Sequence, residues 1–521
     1  MGEPKESKES KEPKESSITK LRTFVLKPRL YQDWGEEQDP RKVSWGDLFL
    51  DLFLVAASVN ITHIIIEDPT AQGFGKFFLY VCLFISNWSG HTMFKTRFRL
   101  EGFFFDFLTF FFLLGVTGMI VNTGMYDAYV GFSVSLIISL VSILLSYVIV
   151  GINIERARPF SIVMGTSILL KIAVCIVACV YGNSTGAFVG CMVAVLVLDP
   201  LGILPMLKLK NVRLPLHVEH TGERYGLLMM IFLGESILNL GKTIKPYSAW
   251  QHYMAIAFGV AIIYNLYLAY YHVDPDQHDH ALRKNRYRGL IWNYAHVLLA
   301  VCFLMIGAGL GLHLSTYTSA GHEASAGTHA ITHAVIHAAE EDPPLEDGEF
   351  IDIPYSDTYP ASYAWILCIG YSFGLHVTWV IRATHFLFIG QKNPLHGTGL
   401  EFLQNLWWVS VFVWACVTYF LPLIKDQVGV LGVLGLLMAH SVILNLVETS
   451  ITHRIFLSPH FKETSIHVVR LNSLFKREQT SSSSMSMSNG SVPTAKDSRG
   501  TEESFEMTDE GRTKKEEGET D

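Results

Sequence analysis

Charge is scarce in this chain. Asp, Glu, Lys and Arg make up only 17% of its 521 residues, and they crowd into the two ends and a few short connectors. Over most of its length such a sequence cannot clothe a water-soluble surface. A basic face of the kind that holds nucleic acid is missing too, because the formal charge is −8 and the acidic excess lies largely in the C-terminal tail and one loop. No nucleic-acid partner is expected. Cysteine is sparse, and all seven (Cys82, Cys175, Cys179, Cys191, Cys302, Cys368 and Cys416) sit inside apolar runs. They read as small core hydrophobes, which excludes a disulfide framework or a zinc knuckle. Residues 1–42 hold no apolar stretch of the signal-peptide kind, so the first apolar run is expected to target the chain itself. The apolar runs also contain no HExxH, no GxSxG and no clustered metal-ligand motif. Neither an enzymatic activity nor a cofactor is expected.

What is present is hydrophobic length. Half of the residues are hydrophobic, and a hydrocarbon core about 30 Å thick needs roughly 20 of them per helix. Twelve runs meet that standard, at approximately 43–66, 74–95, 103–122, 128–152, 160–181, 187–207, 224–243, 250–272, 290–312, 361–385, 403–421 and 428–449. The expectation is an all-α, polytopic membrane protein of about twelve spans, with the lipid bilayer as its principal partner.

The cations give the orientation. Lys95, Arg97 and Arg99 follow the second run, Arg156 and Arg158 the fourth, Lys208, Lys210 and Arg213 the sixth, Arg283, Lys284, Arg286 and Arg288 the eighth, and Lys392 the tenth. The longest opposite connector, 313–360, has no Lys or Arg at all. One parity holds the positive charge, which predicts that both tails lie in the cytosol. The N-terminal tail (1–42) repeats a Lys-Glu-Ser triplet through KESKESKEPKES, and the C-terminal tail (450–521) is Ser-, Glu- and Lys-rich from about 473. Both have too little apolar mass to fold and are expected to be disordered.

Polar residues inside the apolar runs are the candidates for function. In the first run Ser44, Asp47, Asp51, Ser58 and Thr62 fall within about 60° of one another on a helical wheel. In the seventh, Arg224, Glu235, Asn239 and Lys242 do the same. A carboxylate facing lipid at mid-depth costs at least a few kcal/mol, so both stripes are expected to face other helices or a wet cavity. Adding 188 to Asp47 gives Glu235, and adding 188 to Asp51 gives Asn239. Adding 189 to Arg97 gives Arg286, and Asp106 then falls within one residue of His296. These matches predict two six-helix halves of like orientation, 43–207 and 224–449, joined by a cytosolic linker at 208–223.

The predicted centre is Asp47, Asp51 and Glu235, with Asn239 and His296 beside them and Arg224 as the counter-charge. Asn87, His91, Lys171, Asp199, Asn293, His376, Arg382, His385, His440, Asn445 and Glu448 also lie in the runs; hydrogen bonding between helices accounts for such groups at about 1 kcal/mol each. In the outer loop His329, His333 and His337 are spaced four apart. On a helix they share one face, a geometry suited to zinc or copper, while a purely amphipathic helix explains the same pattern.

The stretches WGDLFLDLFLVAAS, ERYGLLMMIFLGESIL and WNYAHVLL together resemble signatures of the bacterial low temperature requirement A family. By position the resemblance carries over to Trp45, Asp47 and Asp51, to Arg224, Gly234 and Glu235, and to His296. Asp47 stands where the family usually has Glu, and Leu50 where Phe is common; the acidic character survives both changes. The resemblance covers about 43–450 without the tails and the His-rich loop. The family is named for a growth phenotype, so it implies architecture rather than mechanism. From the residues themselves the leading expectation is a proton- or cation-linked transporter or permeation pathway for a small ion or solute. The alternatives are a sensor or scaffold acting through its tails and a membrane-embedded enzyme. The oligomeric state is left open.

Overall fold

A computed structural model describes residues 28–31, 41, 43–124, 128–182, 184–209, 213–242, 250–271, 280–336, 360–386 and 399–456, with the backbone alone at 206, 317–336, 386, 399–401, 403–404 and 452–456. Both predicted disordered tails lie outside the described residues, apart from 28–31 and 41 in the first and the helical end of the second.

The chain is a helical bundle. Its long helices are α1 (Trp45–Glu67), α2 (Ala71–Lys95), α3 (Phe103–Val121), α4 (Tyr129–Asn153), α5 (Arg158–Val180), α6 (Thr185–Lys208), α7 (Val218–Lys242) and α8 (Trp250–Tyr271). A short α9 (Ala281–Lys284) precedes α10 (Arg286–Ile336), α11 (Ala361–Phe386), α12 (Gly399–Val417) and α13 (Lys425–Phe456). Two dipeptides, β1 (Arg29–Leu30) and β2 (Phe98–Arg99), pair antiparallel and pin the incoming chain to the α2–α3 connector.

Local sequence explains where the helices begin. Ser44 and Asp47 form a capping box on α1: the Ser44 Oγ accepts from the Asp47 N–H at 3.2 Å, and the Asp47 carboxylate accepts from the Ser44 N–H at 3.4 Å. Thr70 caps α2 through the Gly73 N–H, and Ser184 caps α6 through the Ala187 N–H. Inside α13, Gly429 takes φ +64°, a left-handed value that glycine adopts without a Cβ clash, and the helix kinks there.

Among the described residues, nine segments are long and apolar enough to cross a membrane. They are α1, α3, α4, α5, α6, α8, the first part of α10, α11, and one run over 405–451 that takes in both α12 and α13. The chain is therefore a multi-pass α-helical membrane protein. The difference from twelve apolar runs has a physical source. Helices α2 and α7 carry many of the buried polar groups and drop below the apolar standard, while a 3-10 stretch at 418–424 joins α12 to α13 without a polar break. A second difference concerns the ninth run. Helix α10 does not stop near residue 312 but continues to Ile336, since 313–336 is Ala- and His-rich and contains no proline.

Helix α10 lies at the centre of the bundle, with 83% of its apolar stretch buried against 17% for α6. It packs on α7, α11 and α1. Small residues let these helices approach: a Cβ at Gly309 would stand 2.8 Å from Leu367 of α11, and one at Gly307 would stand 2.8 Å from the Ser236 hydroxyl of α7. The α3–α4 pair uses the same device at Gly115, against Ser139. Large apolar side chains such as Ile152, Ile162, Leu169, Val177 and Val197 face outward along α4, α5 and α6, which fits a surface solvated by lipid tails.

Candidate functional site

The α1 stripe faces α7. Asp51 is 5% exposed and Arg224 1% exposed, and they form a bidentate pair: Arg224 Nη1 donates to Asp51 Oδ2 at 2.6 Å and Nη2 to Oδ1 at 2.8 Å. The Trp88 indole N–H of α2 donates to the same Oδ1 at 3.1 Å, and the guanidinium lies 5.4 Å from the centre of the Trp88 ring. One turn earlier, His220 Nε2 stands 3.8 Å from Asp47 Oδ2 and Lys95 Nζ 3.8 Å from Asp47 Oδ1. Both α1–α7 contacts carry the same separation along the chain, 173 residues. The two helices thus run in the same direction, and Asp47 and Asp51 are each matched by a basic residue.

This arrangement corrects the predicted centre in two respects. Arg224 is the partner of Asp51, not of Glu235; along α7 it is eleven residues from Glu235, about 16 Å, which no side chain bridges. Glu235 is accordingly separate from the two aspartates, and the three carboxylates do not form one triad. Nor are Asp47 and Glu235 at equivalent places: Asp47 lies in the first turn of α1, whereas Glu235 lies two-thirds of the way along α7. An offset of 188 matches residue types in the sequence, but the contacts follow 173.

Glu235 occupies a different setting. It is 1% exposed, and neither carboxylate oxygen has a hydrogen-bond partner among the described residues. The Lys242 ammonium stands 3.7 Å from Oε1 and itself donates to the Asn239 side-chain oxygen at 3.3 Å. The Asn239 side-chain nitrogen is buried and has no hydrogen-bond partner among the described residues. Extending the α1–α7 register by eleven residues brings Thr62 level with Glu235, and the Thr62 hydroxyl is already committed to the Ser58 carbonyl at 2.7 Å. A buried carboxylate, a buried amide and the end of a half-exposed lysine thus meet in the last two turns of α7.

His296 belongs to neither group. Its Nδ1 lies 2.7 Å from the Trp292 carbonyl and so carries the proton, which leaves Nε2 to accept from the Tyr270 hydroxyl at 2.9 Å. Its ring packs against Tyr225 and Trp292. Other polar groups tie helices together. Lys171 and Ser86 both meet Asp199, Arg382 meets Glu448, Asn445 donates to Asn265 at 2.8 Å, and Ser139 donates to Asn87 at 3.2 Å.

Sequence reasoning missed Lys95, His220 and Trp88. The signal for His220 was available: it precedes Arg224 by four residues, the same interval that separates Asp47 from Asp51. Nothing in the sequence singles out Trp88. Of the predicted metal ligands, His337 and the side chains of His329 and His333 lie outside the described residues. Among the described residues no group of three or more His, Cys, Asp or Glu is placed to hold a metal ion.

A family model described as bacterial low temperature requirement A protein matches residues 42–340. No match is found among curated proteins, and none among solved structures. The matched stretch begins at the α1 cap and runs through α10. It takes in Trp45, Asp47, Asp51, Arg224, Gly234, Glu235 and His296, includes part of the His-rich segment, and stops before α11. More than half of the chain falls inside it, and the chain belongs to the bacterial low temperature requirement A family.

Proposed function

We propose that the protein is a proton- or cation-linked carrier or permeation pathway rather than an enzyme, and that Glu235 is the group that exchanges the ion. The observation behind this reading is the setting of Glu235: a fully buried carboxylate on α7, with neither oxygen hydrogen-bonded among the described residues and an ammonium 3.7 Å away. A proton or a small cation satisfies those oxygens, and Lys242, which is 44% exposed at its side chain, can follow the charge because its stem is flexible. The Asp51–Arg224 pair then acts as the fixed element that holds α1 against α7 at the end where both helices begin. The parity of the cationic connectors supports a cytosolic location for that end and for both chain termini.

Proteoliposomes containing the full chain, loaded with a pH-sensitive dye and screened with several monovalent and divalent cations at two pH values, test the proposal. Wild-type protein is expected to carry a cation or proton flux. Glu235→Gln keeps the shape and removes the charge, and is expected to reach the membrane folded while losing that flux or its dependence on pH. Full, normally pH-dependent flux in Glu235→Gln would sink the proposal. Deleting 1–40 and 473–521 is expected to leave the flux intact, whereas loss of function on that deletion would favour signalling through the tails.

A further inference from the structure

Next to the capped end of α1 the structure holds a cavity of about 230 Å³, walled by α2, α3 and α4 and by the β1–β2 strap. It shares no residue with the Glu235 setting, so a ligand bound there is independent of any ion exchange at Glu235. Its lining carries both signs of charge. The Lys95 ammonium is there, with Asp47 Oδ1 at 3.8 Å, outside hydrogen-bond reach. So is the Arg41 guanidinium, which lies 3.6 Å over the Tyr31 ring and commits one N–H to the Lys95 carbonyl at 3.3 Å. The cavity also presents acceptors. Thr109, Ser142 and Ser146 line it, and each hydroxyl already donates its single proton to a backbone carbonyl, at 2.9, 2.6 and 3.0 Å respectively. Only their lone pairs remain. The carboxylates of Asp47 and Asp106 complete the lining.

His91 also lines the cavity; it is 7% exposed, stacks on Phe112 with ring centres 4.2 Å apart, and has no hydrogen-bond partner at Nδ1 among the described residues. A buried polar atom left without a partner costs about 1–3 kcal/mol, so its persistence at a cavity wall points to a ligand that supplies one.

We infer that this cavity binds a small zwitterion, its acidic group against Arg41 and Lys95 and its ammonium against Asp47, Asp106 and the three hydroxyls. A simple anion there meets two carboxylates, and a simple cation meets a guanidinium and an ammonium. A molecule carrying both charges can meet the cations and the carboxylates of the lining alike. Free α-amino acids and the phosphoethanolamine headgroup of a lipid share that chemistry.

The test is equilibrium dialysis of the purified full chain in maltoside micelles against four probes: L-alanine, O-phosphoethanolamine, propionate and ethylamine. At least one zwitterion is expected to bind tenfold or more tightly than either singly charged probe. Preference for L-alanine identifies a free amino acid as the ligand, and preference for O-phosphoethanolamine identifies a lipid headgroup. Lys95→Gln and Arg41→Gln are each expected to weaken zwitterion binding at least tenfold, and His91→Phe to abolish it while retaining the stack on Phe112. Equal binding of all four probes, or no binding of either zwitterion, overturns the inference. So does unchanged binding in Lys95→Gln. If that variant fails to fold, the four-probe comparison on the unaltered chain decides alone.

Discussion

Replacing Asp51 by Asn removes one charge from an ion pair buried on both sides. The Asn side-chain oxygen still accepts from the Trp88 indole, so that hydrogen bond survives. What is lost is the compensation of Arg224, a guanidinium 1% exposed whose two bonds to Asp51 measure 2.6 and 2.8 Å. Breaking a buried pair from one side leaves an uncompensated charge and costs about 3–5 kcal/mol. Arg224→Gln has the complementary defect, a buried carboxylate held by one indole, and falls in the same range. The double variant Asp51→Asn with Arg224→Gln leaves two neutral amides that can bond to each other. Its loss is therefore expected to fall short of the sum of the single losses by at least about 2 kcal/mol. Reversible unfolding in mixed micelles, followed by Trp fluorescence, reads all four proteins in one cycle. A cost below about 1 kcal/mol for either single variant, or additive losses in the double, would refute the account of this pair as the fixed link between α1 and α7.

Gly309→Ala forces a Cβ to within 2.8 Å of the Leu367 backbone, so α10 and α11 must separate; a loss of about 1–3 kcal/mol is expected in the same unfolding assay, and none at Gly190, where a Cβ meets nothing within 4 Å. His280 lies between α8 and α9, where burial pushes its pKa down to about 3. The folded protein keeps it neutral while an unfolded chain protonates it near its ordinary value, so stability is complete above about pH 6.5 and falls as pH drops towards 3. At pH 5 the loss amounts to about 2 kcal/mol, and His280→Asn, which preserves the cap on the Leu282 N–H, is expected to remove that slope. If the His-rich segment binds metal, purified protein retains zinc or copper and the triple change of His329, His333 and His337 to Ala releases it; equal metal content by mass spectrometry leaves only the amphipathic helix.

Apolar length and buried charge were legible in the sequence because each is local. The polar stripes on α1 and α7 follow from a 100° turn per residue. Glu235 could be singled out because a carboxylate deep in an apolar run has no local way to reach water. Partner choice was not legible. Arg224 shares a helix face with Glu235, yet its bonds go to Asp51 on another helix, and the helical period is silent about which stripes meet. The offset of 188 misled for the same reason: it aligned acidic residues by type, while packing aligned acid with base at 173. Lys95 was read only as a cation fixing orientation, although the end of α2 places it beside Asp47.

The separation of 173 residues between Asp51 and Arg224 also sets a clock for synthesis. At about 5–20 residues per second, a ribosome completes Arg224 roughly 9–35 s after Asp51. Trp88 is only 37 residues downstream of Asp51 and arrives in roughly 2–7 s, covering one carboxylate oxygen first. Throughout the remaining interval α1 must stay in or beside the insertion machinery with a carboxylate that has no cation, because releasing it to lipid alone costs a few kcal/mol. Helix α7 is thus a late-arriving counter-ion. A chain truncated before Val218 is expected to dwell at the translocation site and to be cleared by quality control, whereas one truncated after α7 has its charge matched and can leave.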